Sequence, residues 1–157
     1  MDLKYIPLVD FKNRIFQTQE RVHFSAVDAY GHLNAAKYFE MVLNHRVHAV
    51  EEQVQVITMD ILNVSKIALV LFHADLKFSK PSFMSDTLII QSYVAEIGEK
   101  FILIEAQILD SVKKEKRFKA ALKFISVDLK THSACKMPES LPTRGNPEKI
   151  FELPLSV

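Results

Sequence analysis

The first regular pattern of apolar and polar residues along the chain predicts a strand over residues 14–27. Apolar and polar positions alternate there, as Val22, Phe24 and Ala26 show against their polar neighbours. Period-two alternation in a segment rich in β-branched and aromatic side chains is typical of a half-buried strand. The alternation ends at residues 28–31, where an aspartate and a glycine predict a turn.

The next pattern has helical spacing. Apolar residues recur at intervals of three or four positions at Ala36, Phe39, Leu43, Val47 and Val50. This spacing predicts an amphipathic helix with these side chains as its buried stripe. Asn34 is the expected N-cap, because its side-chain oxygen can accept a hydrogen bond from a backbone N–H of the first turn.

The remaining apolar segments predict further strands. They cover residues 69–78, 87–97, 101–109 and 118–127, with turns at Gly98-Glu99-Lys100 and at the charged segment 110–117. Apolar strands joined by such short turns form antiparallel hairpins. A strand, one long helix and then a run of antiparallel strands indicate an α+β fold, in which one sheet wraps around the helix.

The composition is that of one folded domain. The chain has 157 residues, of which 48% are hydrophobic, and this is enough to bury a core. We expect a single domain over 1–157, with a core of about 12–141 and an extended tail over 142–157, because Pro142, Pro147 and Pro154 disfavour regular structure there.

Charge and targeting signals narrow the class of protein. The formal net charge of +1 does not favour partnership with nucleic acid or a membrane surface. The N-terminal residues lack the pattern of a signal peptide, and the longest apolar run, 67–72, is too short to span a bilayer. Together with the single cysteine, Cys135, this predicts a soluble cytoplasmic protein.

A carboxylate precedes the predicted helix. Asp28 lies six positions before Asn34, and Gly31, one of only three glycines in the chain, lies between them. A helix start offers unpaired backbone N–H groups and a partial positive charge, which can polarise a carbonyl group or stabilise an oxyanion. A carboxylate can act as the nucleophile or as the base that activates water. This pair of groups can perform acyl transfer without a metal.

The string from Val27 to Tyr38 resembles the Asp-x-x-Gly-His-x-Asn-Asn-x-x-Tyr signature of the 4-hydroxybenzoyl-CoA thioesterase-like family. The matching positions are Asp28, Gly31, His32, Asn34 and Tyr38. The similarity extends over about residues 22–141 and includes the order of helix and strands and the segment 78–86. The resemblance implies a hotdog fold, in which the antiparallel sheet wraps around one long central helix.

The resemblance also implies an activity and a site. The activity is hydrolysis of an acyl-CoA or acyl-carrier-protein thioester, with Asp28 as the catalytic residue. Substrate-binding positions would be Gly31, His32, Asn34, Ala35 and Tyr38, and the backbone N–H of Ala35 would polarise the carbonyl group. The resemblance implies no cofactor beyond the coenzyme A of the substrate, and it implies a homodimer or homotetramer with sites at the subunit junction.

Two positions depart from the signature. Its second asparagine is Ala35 in this chain, and an acidic residue often found two positions before the catalytic one is Ala26. The backbone N–H at Ala35 survives any change of side chain, so the departures bear on substrate orientation and on support for Asp28 rather than on polarisation.

Each site residue also has a structural explanation. Asp28 and His32 can simply build the turn, Asn34 can cap the helix, and Tyr38 can pack in the core. Two other functions therefore stay open: an acyl-thioester-binding module without turnover, and a hydratase or dehydratase of the same fold. The second is disfavoured because its relatives carry Asp-x4-His, whereas three residues separate Asp28 from His32.

Other polar residues lie outside the signature. Lys80 and the basic segment Lys113, Lys114, Lys116, Arg117 and Lys119 can meet the phosphates of coenzyme A, or can be a solvated hairpin tip that discourages edge pairing. His45 and His48 are three positions apart on the predicted helix. A metal site there is disfavoured, because no carboxylate has the spacing of a further ligand.

Overall fold

The computed structural model describes residues 4–54 and 65–143. Its regular elements are β1 (Lys4–Pro7), β2 (Phe16–Arg21), α1 (Ala35–Val54), β3 (Ile67–Phe78), β4 (Thr87–Ile97), β5 (Phe101–Asp110), β6 (Lys116–Asp128) and β7 (Ser140–Thr143). Short 3-10 helices lie at Leu8–Phe11 and Phe24–Ala26. No helix in these two ranges is long and apolar enough to cross a membrane.

Five of the strands form one antiparallel sheet in the order β2-β4-β5-β6-β3. The predicted turn between β4 and β5 is confirmed: the N–H of Gly98 donates to the carbonyl oxygen of Phe101 at 2.8 Å. A Cβ atom at Gly98 would lie 2.2 Å from the Phe101 ring, so any larger residue at this position would displace that ring. With α1 against β2, β4 and β5, the predicted α+β hotdog fold is confirmed.

The core lies between α1 and the inner face of the sheet. Along β5 buried and half-buried residues alternate without exception, because successive side chains of a strand point to opposite faces. The inner face of β6 contributes the fully buried residues Phe118, Ala120, Leu122 and Phe124. Burying a large side chain of this kind stabilises the fold by about 1.5–3 kcal/mol, which fixes α1 against the sheet.

The buried face of α1 is not the predicted stripe. Its buried side chains include Tyr38, Met41, Val42, His45 and Ala49, whereas Ala36 is exposed and Phe39, Leu43 and Val47 are half-buried. At 3.6 residues per turn, the two sets lie roughly 140° apart around the helix. The prediction was wrong about the face because two polar side chains, Tyr38 and His45, find hydrogen-bond partners in the core and can be buried.

The strand predicted over 14–27 is shorter in the structure. It ends at Arg21, and the chain turns through a 3-10 helix at Phe24–Ala26. Val22 is buried as predicted, but the Phe24 side chain is 81% exposed. The expected alternation fails at Phe24 because the backbone is no longer extended there.

A second, two-stranded sheet joins the two ends of the described chain. Tyr5 pairs with Pro142, and Ile6 with Leu141, in an antiparallel ribbon. The sequence pattern predicted neither strand, and it placed the start of an irregular tail at residue 142. Residues 144–157, the rest of that tail, lie outside the described residues.

Candidate active site

Asp28 lies in a tight turn that uses one of its two carboxylate oxygens. Oδ1 accepts hydrogen bonds from the backbone N–H groups of Tyr30 at 2.9 Å and His32 at 3.1 Å. The backbone N–H of Gly31 donates to the carbonyl oxygen of Asp28 at 3.0 Å, and Gly31 has a φ of +78°. A positive φ of this kind favours glycine. The other carboxylate oxygen, Oδ2, has no partner among the residues that the structure describes, so it remains available to a substrate.

The turn is closed by the segment between β3 and β4. His32 and Phe83 form an antiparallel bridge, and their rings meet edge to face with centroids 5.1 Å apart. The N–H of Leu33 donates to the carbonyl oxygen of Ser82 at 2.7 Å. Two backbone segments far apart in sequence therefore hold Asp28 in place. Sequence reasoning named 78–86 as part of the resemblance but did not assign Ser82 or Phe83 to the site.

The helix start adjoins this turn. The side-chain oxygen of Asn34 accepts from the N–H of Ala36 at 3.0 Å, which confirms Asn34 as the N-cap. Its own N–H donates to the carbonyl oxygen of Ala26 at 2.9 Å. Ala35 is the first residue of α1 and is exposed, and within the described ranges its N–H has no acceptor. A donor of this kind at the positive end of a helix can polarise a carbonyl group.

Tyr38 is the predicted site residue that the structure buries. Its side chain is only 4% exposed, and its ring stacks on Phe118 and meets Phe78 edge to face. Its hydroxyl accepts a hydrogen bond from the N–H of Ser82 at 3.0 Å. Tyr38 thus supports the 78–86 segment from the core, and substrate contact by its side chain stays a prediction.

His45 occupies the middle of α1, far along the helix from Asp28. Its Nδ1 lies 2.6 Å from Thr18 Oγ1 and its Nε2 lies 2.8 Å from Ser92 Oγ. Burial, with a smaller contribution from the charge of His48, lowers the pKa of His45 to about 4. The imidazole is therefore neutral at pH 7 and joins α1 to β2 and β4. This network was missed, because serine and threonine on separate strands leave no signal near His45 in the sequence.

The basic turn, defined as residues 110–117 from the last residue of β5 to the second residue of β6, is linked to the same 78–86 segment. Lys80 pairs with Glu115 at 3.1 Å, and Arg117 Nη1 donates to the carbonyl oxygen of Pro81 at 2.5 Å. The hydrogen bond from Lys80 lowers the pKa of Glu115. Lys113 and Lys114 are exposed, and neither forms an ion pair with a carboxylate in the described part of the chain.

One further pair of cations adds to the positive charge beside this turn. Lys77 of β3 lies directly opposite Lys119 of β6. Like charges directly opposite each other across two strands destabilise a sheet. Together with Lys113 and Lys114, which form no ion pair in the described part of the chain, these two lysines leave more positive than negative charge in this region.

Comparison with known proteins identifies relatives. Residues 22–144 match the model of the thioesterase-like superfamily. The chain is 27% identical over 118 residues to the long-chain acyl-CoA thioesterase FadM of Escherichia coli K12, covering 75% of this chain and 87% of the relative.

Solved structures give the same result for the fold. YbaW from Escherichia coli superposes with a TM-score of 0.69 at 25% identity, over 87% of this chain and 96% of that chain. A 1,4-dihydroxy-2-naphthoyl-CoA thioesterase from Synechocystis gives 0.71 at 16% identity, over 79% and 90%.

Proposed function

Because the chain belongs to the thioesterase-like superfamily, we propose that it hydrolyses acyl-CoA thioesters at the turn that carries Asp28. Thioester hydrolysis is the activity of the family, and the matched residues include the whole of this turn and the start of α1. The observation that carries the proposal is the position of the carboxylate: Oδ1 is held by two backbone N–H groups, while Oδ2 is available beside a helix start.

The proposed chemistry needs an attacking oxygen and an electrophilic donor. Asp28 supplies the first, either by adding to the thioester carbon itself or by taking a proton from the attacking water. In the base route the C–O bond to water forms, the C–S bond breaks, and the proton that Asp28 took from water passes to the thiolate. In the nucleophilic route the C–S bond breaks as the mixed anhydride forms, the thiolate leaves, and the water that hydrolyses the anhydride releases the proton that the thiolate takes up. The N–H of Ala35 supplies the second by donating to the carbonyl oxygen, on which negative charge develops.

The other residues of the turn have supporting roles in this proposal. Gly31 allows the positive φ, and the backbone of His32 holds the Asp28 carboxylate. The His32 ring, packed on Phe83, forms one wall beside the carboxylate. Asn34 sets where the helix begins, and thereby where the N–H of Ala35 points.

The test compares thiol release from acyl-CoAs by the native chain and by Asp28→Asn. This change removes the charge at nearly constant size, and we expect kcat to fall at least about 100-fold. Asp10→Asn is the matched control, because Asp10 is an exposed carboxylate on another element. Turnover that survives in Asp28→Asn would contradict the role of Asp28, and binding without turnover by the native chain would favour a binding module.

A single turnover in ¹⁸O-labelled water tests the nucleophilic route. If Asp28 is the nucleophile, water hydrolyses the mixed anhydride, and attack on the aspartyl carbon leaves label in the Asp28 carboxylate. Attack on the acyl carbon, like the general-base route, places all label in the released acid. Label in the peptide that contains Asp28, detected by mass spectrometry, would therefore establish Asp28 as the nucleophile.

Coenzyme A is the proposed thiol component of the thioester substrate. The relative FadM is a long-chain acyl-CoA thioesterase, and the unbalanced cations near the basic turn suit a ligand with several phosphates. Lys80 is three residues from Phe83, which limits the distance between their Cα atoms to about 11 Å. The cations therefore lie close enough to Asp28 for one ligand to reach both.

We propose that two copies of the chain pair through β3. This strand has twelve residues and forms one edge of the sheet, and a long unpaired edge is a template for another strand. Phe72, 70% exposed, lies at a bulge in β3, and Val70 beside it is 48% exposed. The half-buried Phe39 and Leu43 of α1 are apolar surface that a partner would cover.

A further inference from the structure

We propose that four apolar side chains around Asp28 bind the acyl group of the thioester and select a large apolar one. We call them the apolar rim, defined as Phe24, Tyr30, Phe83 and Met84. The inference rests on the proposed function, since only a protein that places a thioester at Asp28 has an acyl group to bind there.

The rim side chains are exposed although they are apolar. Their exposed fractions are 81% for Phe24, 85% for Tyr30, 46% for Phe83 and 52% for Met84. Single exposed apolar residues are ordinary, but several large ones on segments that adjoin one another are typical of a binding surface. An apolar group that covered them would gain roughly 25 cal/mol for each Å² removed from water.

The backbone of Tyr30 contacts the reacting carboxylate, and Phe83 is connected to it through His32. The N–H of Tyr30 donates to Asp28 Oδ1 at 2.9 Å, and the N–H of His32 donates to the same atom at 3.1 Å. The His32 ring in turn contacts the ring of Phe83, with centroids 5.1 Å apart. A group bonded to a carbonyl carbon next to Asp28 therefore lies beside the two segments that carry these aromatic side chains.

Phe24 and Met84 belong to the same surface because of backbone pairing. The N–H of Val22 donates to the carbonyl oxygen of Asp86 at 2.8 Å, and the N–H of Ser85 donates to the carbonyl oxygen of Val22 at 2.9 Å. These bonds place the 3-10 helix that begins at Phe24 beside the segment that carries Met84. The rim is thus built from three segments that hydrogen bonds hold together.

The chemistry of the rim favours the acyl arm over the thiol arm of the substrate. The thiol arm of coenzyme A carries amide groups, which need hydrogen-bond partners when they are covered. The rim offers one hydroxyl, on Tyr30, and otherwise only aromatic carbon and a thioether. A large apolar acyl group, alkyl or aryl, is the part of the substrate that gains most from this surface.

The experiment measures kcat/KM for acetyl-CoA, decanoyl-CoA and benzoyl-CoA with Tyr30→Ala, Phe83→Ala and Met84→Ala. Coenzyme A is common to all three substrates. The ratio of kcat/KM for each large acyl-CoA to kcat/KM for acetyl-CoA therefore depends only on the acyl group. We expect the ratio for decanoyl, benzoyl or both to fall at least about 10-fold, because acetyl-CoA turnover should fall less than turnover of the large acyl-CoA. The ratio that falls shows whether the apolar rim binds alkyl groups or aryl groups.

The matched controls are Tyr5→Ala and Val9→Ala, which remove exposed apolar side chains elsewhere (54% and 69% exposed). They should leave both ratios unchanged. Equal loss on all three substrates, no loss on any, or a change of oligomeric state in the rim variants would overturn the inference. Absence of turnover by the native chain would instead reject the proposed function, and the inference with it.

Discussion

The hydroxyl of Tyr38 accepts a hydrogen bond from the backbone N–H of Ser82, with oxygen and nitrogen 3.0 Å apart. Tyr38 lies in the first turn of α1, and Ser82 lies in the segment whose next residue, Phe83, contacts His32. The start of the helix and the far wall of the Asp28 turn are thus joined through one buried side chain.

Tyr38→Phe should destabilise the protein. The change leaves a fully buried N–H of Ser82 without its acceptor, which costs about 1–3 kcal/mol. Urea unfolding monitored by fluorescence or circular dichroism measures the loss. Tyr30→Phe is the control, because that hydroxyl belongs to an 85% exposed side chain and should change stability by no more than about 0.5 kcal/mol. Equal effects of the two substitutions would contradict the role of the bond.

The neutral imidazole of His45 predicts a pH dependence of stability. Burial lowers its pKa in the folded protein to about 4, from 6.5. Between pH 6.5 and 4 the unfolded chain therefore binds a proton that the folded protein does not. The contribution of neutral His45 to the free energy of unfolding is present in full above about pH 6.5 and is lost as the pH falls. The loss is about 1.4 kcal/mol for each pH unit and up to about 3 kcal/mol in total.

Unfolding free energies at pH 7, 5.5 and 4.5 test this dependence. In His45→Gln the titrating group is gone, so the decline between pH 7 and 4.5 should be shallower than in the native protein. His48→Gln, an exposed neighbour on the same helix, should retain the native decline. If the native protein and His45→Gln declined in parallel, the dependence would belong to other groups.

The basic turn should bind the phosphates of coenzyme A. We expect Lys113→Gln with Lys114→Gln to raise KM for an acyl-CoA by about 3- to 10-fold, as exposed ion pairs contribute up to about 1 kcal/mol each. The same acyl group on N-acetylcysteamine, a thiol without phosphates, should show no change. Lys12→Gln with Lys130→Gln is the control pair of exposed lysines. A rise in KM for both thioesters would remove the phosphates from the explanation.

The free edge of β3 should control assembly. A charge at Phe72, which is 70% exposed at the bulge between Leu71 and His73, would be buried without a partner in a dimer. We expect Phe72→Asp to weaken dimerisation by at least about 10-fold, since an unpaired buried interfacial charge costs 2 kcal/mol or more. Sedimentation velocity over a range of concentrations measures this, and Val112→Asp is the exposed control. Unchanged sedimentation of Phe72→Asp would exclude this edge as the interface.

The sequence was informative wherever a feature is local. The bounds of β4 agree residue for residue with the pattern, because alternation, a preceding turn and Gly98 all lie within one short segment. The Asp28 turn was equally accessible, since the carboxylate, Gly31 and the Asn34 cap are close together in the chain. Features of this kind depend on neighbours along the sequence, which a pattern records.

Features that depend on distant partners were not accessible. The buried face of α1 was misplaced because hydropathy alone ranks His45 below Leu43, whereas Thr18 and Ser92 satisfy both nitrogens of the imidazole. Phe83 was not assigned to the site because its place there comes from a bridge to His32 across two elements. In each case a contact between remote residues decided where the side chain lies.

The ribbon of β1 and β7 has a consequence for how the protein is made. Lys4–Pro7 is synthesised early, but its partner strand, Ser140–Thr143, follows every strand of the five-stranded sheet. On the ribosome the hairpins of β4, β5 and β6 can form while the first strand is still without a partner. Contacts between residues so remote in sequence form slowly, so this ribbon can close only after Ser140–Thr143 has emerged from the exit tunnel, when the other strands are already available to pair.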